Sequence, residues 1–361
     1  MITIYSVTHF LVDFACAFLM FRSISHSQNW YLCILIYNFC AFALQMPIGI
    51  IADIANRNFL FAGIGCIMIC VGYGVVGVPL AATTIIGVGN GMFHIGGGVD
   101  VLNISQKKSG ALGVFVSPGA FGIFFGTMLG KGETMLTLPI VLSLLTAACL
   151  IIVSRFAWRG AYLDNAAFST RPYAQSPQSS DQNAPPAPVE PSAFHIPQRP
   201  QSFRVALFSV LCLFIVVCLR SYVGLGVDFT WKSAGYWGLA LVCASAFGKA
   251  SGGFLSDWLG PMSSTTITLG IATLLLLIPQ YPAAGVPAML LFNMTMPVTL
   301  WVMMKTFPGA KGFSFGLLTF ALFLGFLPVY LGSGAIPQRM LTPYAALSLG
   351  VLIAGLRKAR L

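Results

Sequence analysis

Runs of about twenty apolar residues, the length a helix needs to cross a hydrocarbon layer, recur along almost the whole chain and leave few folds open to it. They lie at roughly 2–21, 30–52, 58–78, 80–101, 110–130 and 135–154, then at roughly 204–226, 235–256, 262–280, 284–306, 312–332 and 338–356. Charged residues make up only 8% of the 361, whereas a soluble chain carries about 25%. So few charges cannot cover a surface in water, so lipid is the solvent for most of the length. The pattern predicts an all-α integral membrane protein with twelve transmembrane helices in two six-helix bundles. The first run begins at Ile2 and carries His9 and Asp13, so it reads as a retained span rather than a cleaved leader.

Between the two sets of runs, 160–203 holds Pro185, Pro186, Pro188, Pro191 and Pro200 among Ser, Gln and Asn. It has too few apolar residues to form a core. The expected organisation is therefore an N-terminal bundle over 1–159, a flexible cytoplasmic linker over 160–203 and a C-terminal bundle over 204–361. If Met1 is inside and the chain crosses twelve times, thirteen Lys and Arg fall in inside connections. Four, Arg22, Lys131, Lys232 and Arg339, fall outside. That asymmetry predicts cytoplasmic termini. It also accounts for the net charge of +10 without a nucleic-acid partner. The nine cysteines sit inside apolar runs without paired spacing, as small buried hydrophobes do.

The two halves share a signature. Gly49 and Asp53 follow the second run with Arg57 just beyond, and Gly253 and Asp257 follow the eighth with Gly260 just beyond. The copies lie 204 residues apart, and Asn90 in the fourth run has a counterpart 203 residues on, Asn293 in the tenth. Either turn alone would suit an ordinary polar helix end; two at one offset indicate an internal repeat. The G-x-x-x-D turns resemble those of the major facilitator superfamily, over essentially the whole chain. Asn56 stands where that family has a second Gly, and Pro261 where the later copy would be basic. The resemblance implies that Gly49, Asp53 and Arg57, with Gly253, Asp257 and Gly260, form a cytoplasmic gate. Its carboxylates would meet helix N-termini of the opposite half, where the dipole favours negative charge. It further implies that the first, fourth, seventh and tenth spans line a central cavity. Thr8-His9-Phe10-Leu11-Val12-Asp13-Phe14 and Gly89-Asn90-Gly91-Met92-Phe93-His94 resemble the fosmidomycin-resistance branch of drug exporters.

An ionisable group at mid-bilayer costs about 3 kcal/mol on insertion scales, so each asks for a reason. His9 and Asp13 are four apart and share a helix face, which Tyr5, Ser6 and Cys16 extend into a polar stripe. Asn90 and His94 repeat the spacing on the fourth run. Imidazole titrates near neutral pH, and burial moves a carboxyl group towards the same range, which suits proton coupling. The alternative for each His is a satisfied interhelical hydrogen bond. Arg220 lies deep in the seventh run and keeps its proton there, so it needs an anion: Asp13 or the substrate, with snorkelling to the outer surface a third course. Lys249, two turns from a span end, is expected to snorkel to the interface. Asn293, Thr295 and Pro297, with Trp301 a turn on, would add cavity contacts and a kink. The Gly-rich stretch over 87–98 lacks G-K-[ST] and reads as helix packing, not a phosphate loop.

These features predict a secondary active transporter of a small organic, possibly anionic, solute. It would be coupled to H+ and work by alternating access, with export favoured. His9, Asp13, Asn90, His94, Arg220 and Asn293 would serve coupling or substrate. A divalent transition-metal transporter using His9, Asp13 and His94 is the alternative in the same fold, and a non-transporting receptor the alternative of another class. No nucleotide, metalloprotease or nucleophile–base motif points to an enzyme or a cofactor. A monomer in a bacterial inner membrane is expected.

Overall fold

The structure, a computed structural model, describes residues 1–105, 108–169, 203–332 and 334–359, with backbone alone for 158–169. The Pro-rich part of the expected linker, together with Lys107, Arg171, Arg199 and Arg360, lies outside the described residues.

Among the described residues twelve α-helices follow one another: α1 Ile2–Arg22, α2 Trp30–Ala55, α3 Asn58–Gly74, α4 Pro79–Ser105, α5 Gly110–Gly130, α6 Thr137–Ser169, α7 Phe203–Gly226, α8 Trp237–Leu259, α9 Pro261–Leu275, α10 Pro282–Thr306, α11 Lys311–Tyr330 and α12 Leu341–Ala359. Among the described residues no strand forms beyond one isolated bridge, Val227 with Ile336. Ten of the helices are long and apolar enough to cross a membrane, and α3 and α9 are shorter. Both short helices stop before the apolar run does. Pro79 ends the third run and opens α4, while Pro279 and Pro282 close off the ninth; proline cannot continue a helix from within. At its far end α6 runs on to Ser169, past residue 160 where the linker was expected to begin.

Two helices are broken at functional depth. In α2 a π-helical turn at Phe39–Ala43 separates Trp30–Asn38 from Gln45–Ala55; such bulges gather at functional sites. In α10, Pro297 has no N–H to offer the carbonyl of Asn293, and the helix breaks at Met294.

Helices of opposite halves touch with almost no side chain between them. At the end of the bundle that carries Met1, Gly49 of α2 lies against Gly312 of α11. A Cβ on Gly49 would fall on the Gly312 carbonyl, and one on Gly312 close to the Gly49 oxygen. Gly253 of α8 meets Ser109 and Gly110 at the start of α5 in the same way. In lipid, where apolar burial gives no driving force between helices, such contact is a main source of association. Towards the opposite end the α2–α11 seam becomes aromatic, with Phe39 on Phe323 at 5.7 Å and Phe42 on Phe326 at 5.3 Å between ring centroids. There the Tyr31 hydroxyl donates to the Tyr330 carbonyl at 2.7 Å.

Gly49→Val should lower the melting temperature of the purified protein, because the new side chain meets backbone that cannot move aside; overpacking costs about 1–3 kcal/mol. Gly350→Ala is the control, since a Cβ there meets nothing within 4 Å, and it should leave the melting temperature unchanged or raised.

Candidate functional site

The i, i+4 pairs of α1 and α4 meet face to face. His9 Nε2 lies 3.2 Å from Asp13 Oδ2, His94 Nε2 lies 3.8 Å from Asp13 Oδ1, and the two Nε2 atoms are 2.8 Å apart. Asn90 Nδ2 donates to Asp13 Oδ1 at 3.0 Å. All four side chains are largely buried, with Asp13 only 7% exposed.

The imidazole protons can be assigned from their partners. His9 Nδ1 is 2.7 Å from the Phe115 carbonyl, and His94 Nδ1 is 2.9 Å from the Asn90 carbonyl. A carbonyl only accepts, so both Nδ1 atoms carry hydrogen, and in two neutral rings both Nε2 atoms would be bare lone pairs. Their 2.8 Å contact is a hydrogen bond only when one Nε2 carries a further proton, which would give the pair one positive charge beside the Asp13 carboxylate.

His9, Asp13 and His94 are also a three-ligand group of the kind that holds a metal ion, their ligand atoms within 4.8 Å of one another. Two nitrogens bound to one zinc at about 2.0–2.1 Å stand over 3 Å apart in a tetrahedron. The rings would have to separate to admit such an ion.

The walls of the site are not polar by accident of sequence. Gly119 of α5 has no space for a Cβ, which would strike both His9 Nε2 and Asp13 Oδ2. Just before the π turn of α2, the Tyr37 hydroxyl lies 3.4 Å from Asn90 Nδ2, and Cys16 Sγ lies 3.8 Å from the same nitrogen. The rest of the expected stripe faces elsewhere: Ser6 donates back to the Ile2 carbonyl at 2.9 Å, and the Tyr5 hydroxyl donates to Asp100 at 2.7 Å. Asp100, only 2% exposed, is a second buried carboxylate that sequence reasoning missed. An Asp at the edge of an apolar run reads as a headgroup-level residue.

Arg220 and Asn293 are not brought to this cluster. The Asn293 amide donates within its own helix, to the Met289 carbonyl at 2.8 Å, and its Cβ backs onto Gly248. Arg220 is 7% exposed and donates to Thr299 Oγ1 at 3.4 Å. Asp13 is not its partner: among the described residues no carboxylate lies within 4.0 Å of the guanidinium. Lys249, expected at the lipid interface, instead lies within electrostatic range of Arg220 and Asp13. Depth alone suggested snorkelling, but the helix face on which Lys249 stands turns towards the interior.

At the Met1 end the duplicated turns contact the opposite halves crosswise. Asp53 accepts from the Gly312 and Phe313 amides at 2.8 and 2.9 Å, at the start of α11. Asp257 accepts from the Ser109 and Gly110 amides at 2.7 and 2.8 Å, and from the Ser109 hydroxyl at 2.8 Å. Asn56 and Gly260 occupy the same place in the two copies, and both have positive φ, 49° and 81°. Asn is one of the few side chains that tolerates this conformation, which explains how it replaces the family's glycine. Arg57 is exposed beside it.

No family model and no curated protein matches this sequence. Solved structures do match its fold. A major facilitator superfamily transporter, FucP, in the outward conformation superposes with a TM-score of 0.59 at 14% identity over 99% of this chain and 97% of that one. A single-residue variant of the E. coli fucose:proton symporter FucP gives 0.59 at 13% identity over the same shares. A bacterial homologue of the iron transporter ferroportin, outward-facing, gives 0.56 at 13% identity over 99% and 98%. The chain therefore has the twelve-helix major facilitator fold and is a multi-pass integral membrane protein.

Gly119→Ala should force His9 and Asp13 apart and destabilise the protein by about 1–3 kcal/mol. In a background where His9 and Asp13 are both Ala, most of that cost should vanish. A double-mutant cycle on thermal unfolding measures the difference.

Proposed function

We propose that this chain is a secondary transporter that moves a small organic solute by alternating access, driven by a proton gradient, with the His9–Asp13–His94 cluster as the coupling group. The observation that supports it is the 2.8 Å contact between two imidazoles whose other nitrogens are anchored to carbonyls, a contact that one extra proton would turn into a hydrogen bond. With that proton in place the cluster is neutral overall; without it the Asp13 carboxylate is buried with no positive charge in contact with it. An uncompensated buried charge costs several kcal/mol. Loss of the proton therefore weakens the arrangement that joins α1 to α4 and α5, and favours a rearrangement that admits water. Asn90 holds Asp13 in place for both states.

On this reading Asp53 and Asp257 are the latches of the cytoplasmic side. Each clamps a helix N-terminus of the other half with charge-assisted hydrogen bonds, and both must let go for the halves to rock apart. Both termini then lie in the cytoplasm, and a bacterial inner membrane is the setting. Outward movement of the solute is the direction suggested by the motifs of the first and fourth spans.

A second reading, divalent-metal transport, draws on the same three ligands, whose second nitrogens are oriented by carbonyls as those of metal-bound histidines are. The 2.8 Å nitrogen–nitrogen contact favours the proton.

In reconstituted vesicles Asp13→Asn should abolish uphill transport while counterflow exchange continues; unchanged uphill transport removes Asp13 from coupling, and no solute movement by the wild type would support a receptor instead. Titration of the purified protein with manganese or zinc should show no saturable site that depends on His9 and His94; such a site would favour the metal reading. For the latches, Val99→Cys in a background without native cysteines is a reporter, since Val99 is 3% exposed in a recess that Asp53 also lines. Removing a hydrogen bond to a charged group costs about 1.5–3 kcal/mol, so Asp53→Ala should speed maleimide labelling of that cysteine about tenfold or more.

A further inference from the structure

The charges at the centre of the bundle do not balance within the protein. Asp13 is the carboxylate within electrostatic range of the central cations, and its oxygens are already engaged, Oδ1 by Asn90 at 3.0 Å and Oδ2 by His9 at 3.2 Å. The C-terminal half supplies two cations to the same region and, among the described residues, no carboxylate within 4.0 Å of either.

Arg220 is the stronger of the two observations. Its guanidinium keeps its charge at any working pH and presents five N–H donors, yet its one hydrogen bond is the long contact to Thr299 Oγ1 at 3.4 Å. It lines a small cavity of about 20 Å³ between α7, α10 and α11, room for about one water. The other walls are apolar (Val217, Leu300, Phe315) apart from the hydroxyls of Thr299 and Thr319. Phe315 carries this wall across to the N-terminal half, where its ring covers Gly98. Lys249 of α8 adds the second charge, within range of both Arg220 and the Asp13 cluster. Burying like charges near one another without an anion is unfavourable, unless an anion arrives as part of the working cycle.

We propose that the cargo is a small organic dianion, bearing two carboxylates or one phosphate-type group, held by the Arg220 fork and by Lys249 as a point charge. The fork gives planar, bidentate recognition of an oxyanion, and Lys249 supplies a second charge without fixed geometry. The cavity as it stands holds about one water, so the dianion enters only when α7, α10 and α11 part; Thr299 and Thr319 then donate to its remaining oxygens, and Leu300 and Phe315 pack on the carbon skeleton. The inference rests on the transporter reading but not on proton coupling, because binding can be measured without a gradient.

The experiment is a thermal-shift titration of the purified full-length protein at constant ionic strength. The probes are malonate, succinate and inorganic phosphate, with acetate, sodium chloride, tetramethylammonium and glucose as comparisons. At least one dianion should raise the melting temperature saturably, beyond chloride and acetate, since a ligand of the folded state stabilises it. A stronger response to phosphate assigns a phosphorylated cargo, and one to malonate or succinate a dicarboxylate. Arg220→Gln and Lys249→Gln should each weaken the apparent affinity at least tenfold, and Lys249→Arg should retain most of it. Should Arg220→Gln fail to elute as a monodisperse species, the Lys249 pair carries the test alone, because that side chain is only partly buried. Stabilisation by glucose or tetramethylammonium in place of the dianions overturns the proposal, as does a dianion response no larger than that to chloride. A dianion response untouched by Lys249→Gln overturns the two-cation site. If Asp13→Asn keeps both anion binding and uphill transport, the coupling assignment fails while the cargo assignment stands.

Discussion

A carboxylate surrounded by hydrocarbon has no water to lean on, and the way Asp13 is satisfied organises the N-terminal half around it. Three helices must come close enough to serve one side chain. α1 brings His9 one turn before it, α4 brings Asn90 and His94, and α5 must be bare at Gly119 to let the group fit. The histidines in turn need fixed orientations, so the backbone of α5 offers the Phe115 carbonyl and α4 its own Asn90 carbonyl. The cost of one buried charge thus fixes the register and rotation of three helices relative to one another. Packing of small residues alone would not supply that specificity.

The two halves repeat their latches but not their centres. Both copies of the turn end in a residue with positive φ and place an Asp beneath a helix of the other half. At mid-depth the symmetry fails. Asn90 reaches across to Asp13, while its counterpart Asn293 turns back onto its own helix, where Pro297 has broken the ladder. One half holds a carboxylate beside two imidazoles, and the other holds Arg220 and Lys249. Duplication accounts for the frame, and on the proposed function the divergence of the two centres lets the site treat a proton and a solute differently.

Much of the frame was legible from residues alone, because lipid imposes length and composition on a span so strictly. Two spans, α3 and α9, stop several residues before their apolar runs do, with prolines at or just past the end of each run, because apolar character does not register where a helix ends. That His9 and His94 share a site followed from their spacing and from the resemblance that puts the first and fourth spans on one cavity, but their mutual 2.8 Å contact did not, since spacing fixes a face and not a rotamer. Lys249 was read from its distance to a span end, and Asp100, at the edge of an apolar run, was not singled out at all. Distance along a helix says nothing of which way it is turned, and both lie on faces that the bundle encloses. Arg220 left two anions open in the sequence, and only the three-dimensional arrangement separates it from Asp13.

The latches are unequal, and on the proposed mechanism that inequality has a consequence for how the bundle opens. Asp257 accepts from two amides, and the single hydroxyl proton of Ser109 is shared between its carboxylate at 2.8 Å and the Gly253 carbonyl at 2.9 Å. Asp53 accepts from two amides, with Lys311 nearby donating to Asn103 at 2.7 Å instead of adding to the carboxylate. The α5–α8 seam is therefore the tighter at the Met1 end. The α2–α11 seam is clasped at both ends, by Gly49 on Gly312 at one and by Tyr31 on Tyr330 at the other. A rocking motion that frees one end of that seam can keep the other as its pivot, and the aromatic stack of Phe39, Phe42, Phe323 and Phe326 can roll where hydrogen bonds would have to break. Since α2 also places Tyr37 against Asn90, just before its π turn, movement of that seam reaches the proton cluster directly. The helix that opens the path and the helix that feels the proton's counter-anion are the same one.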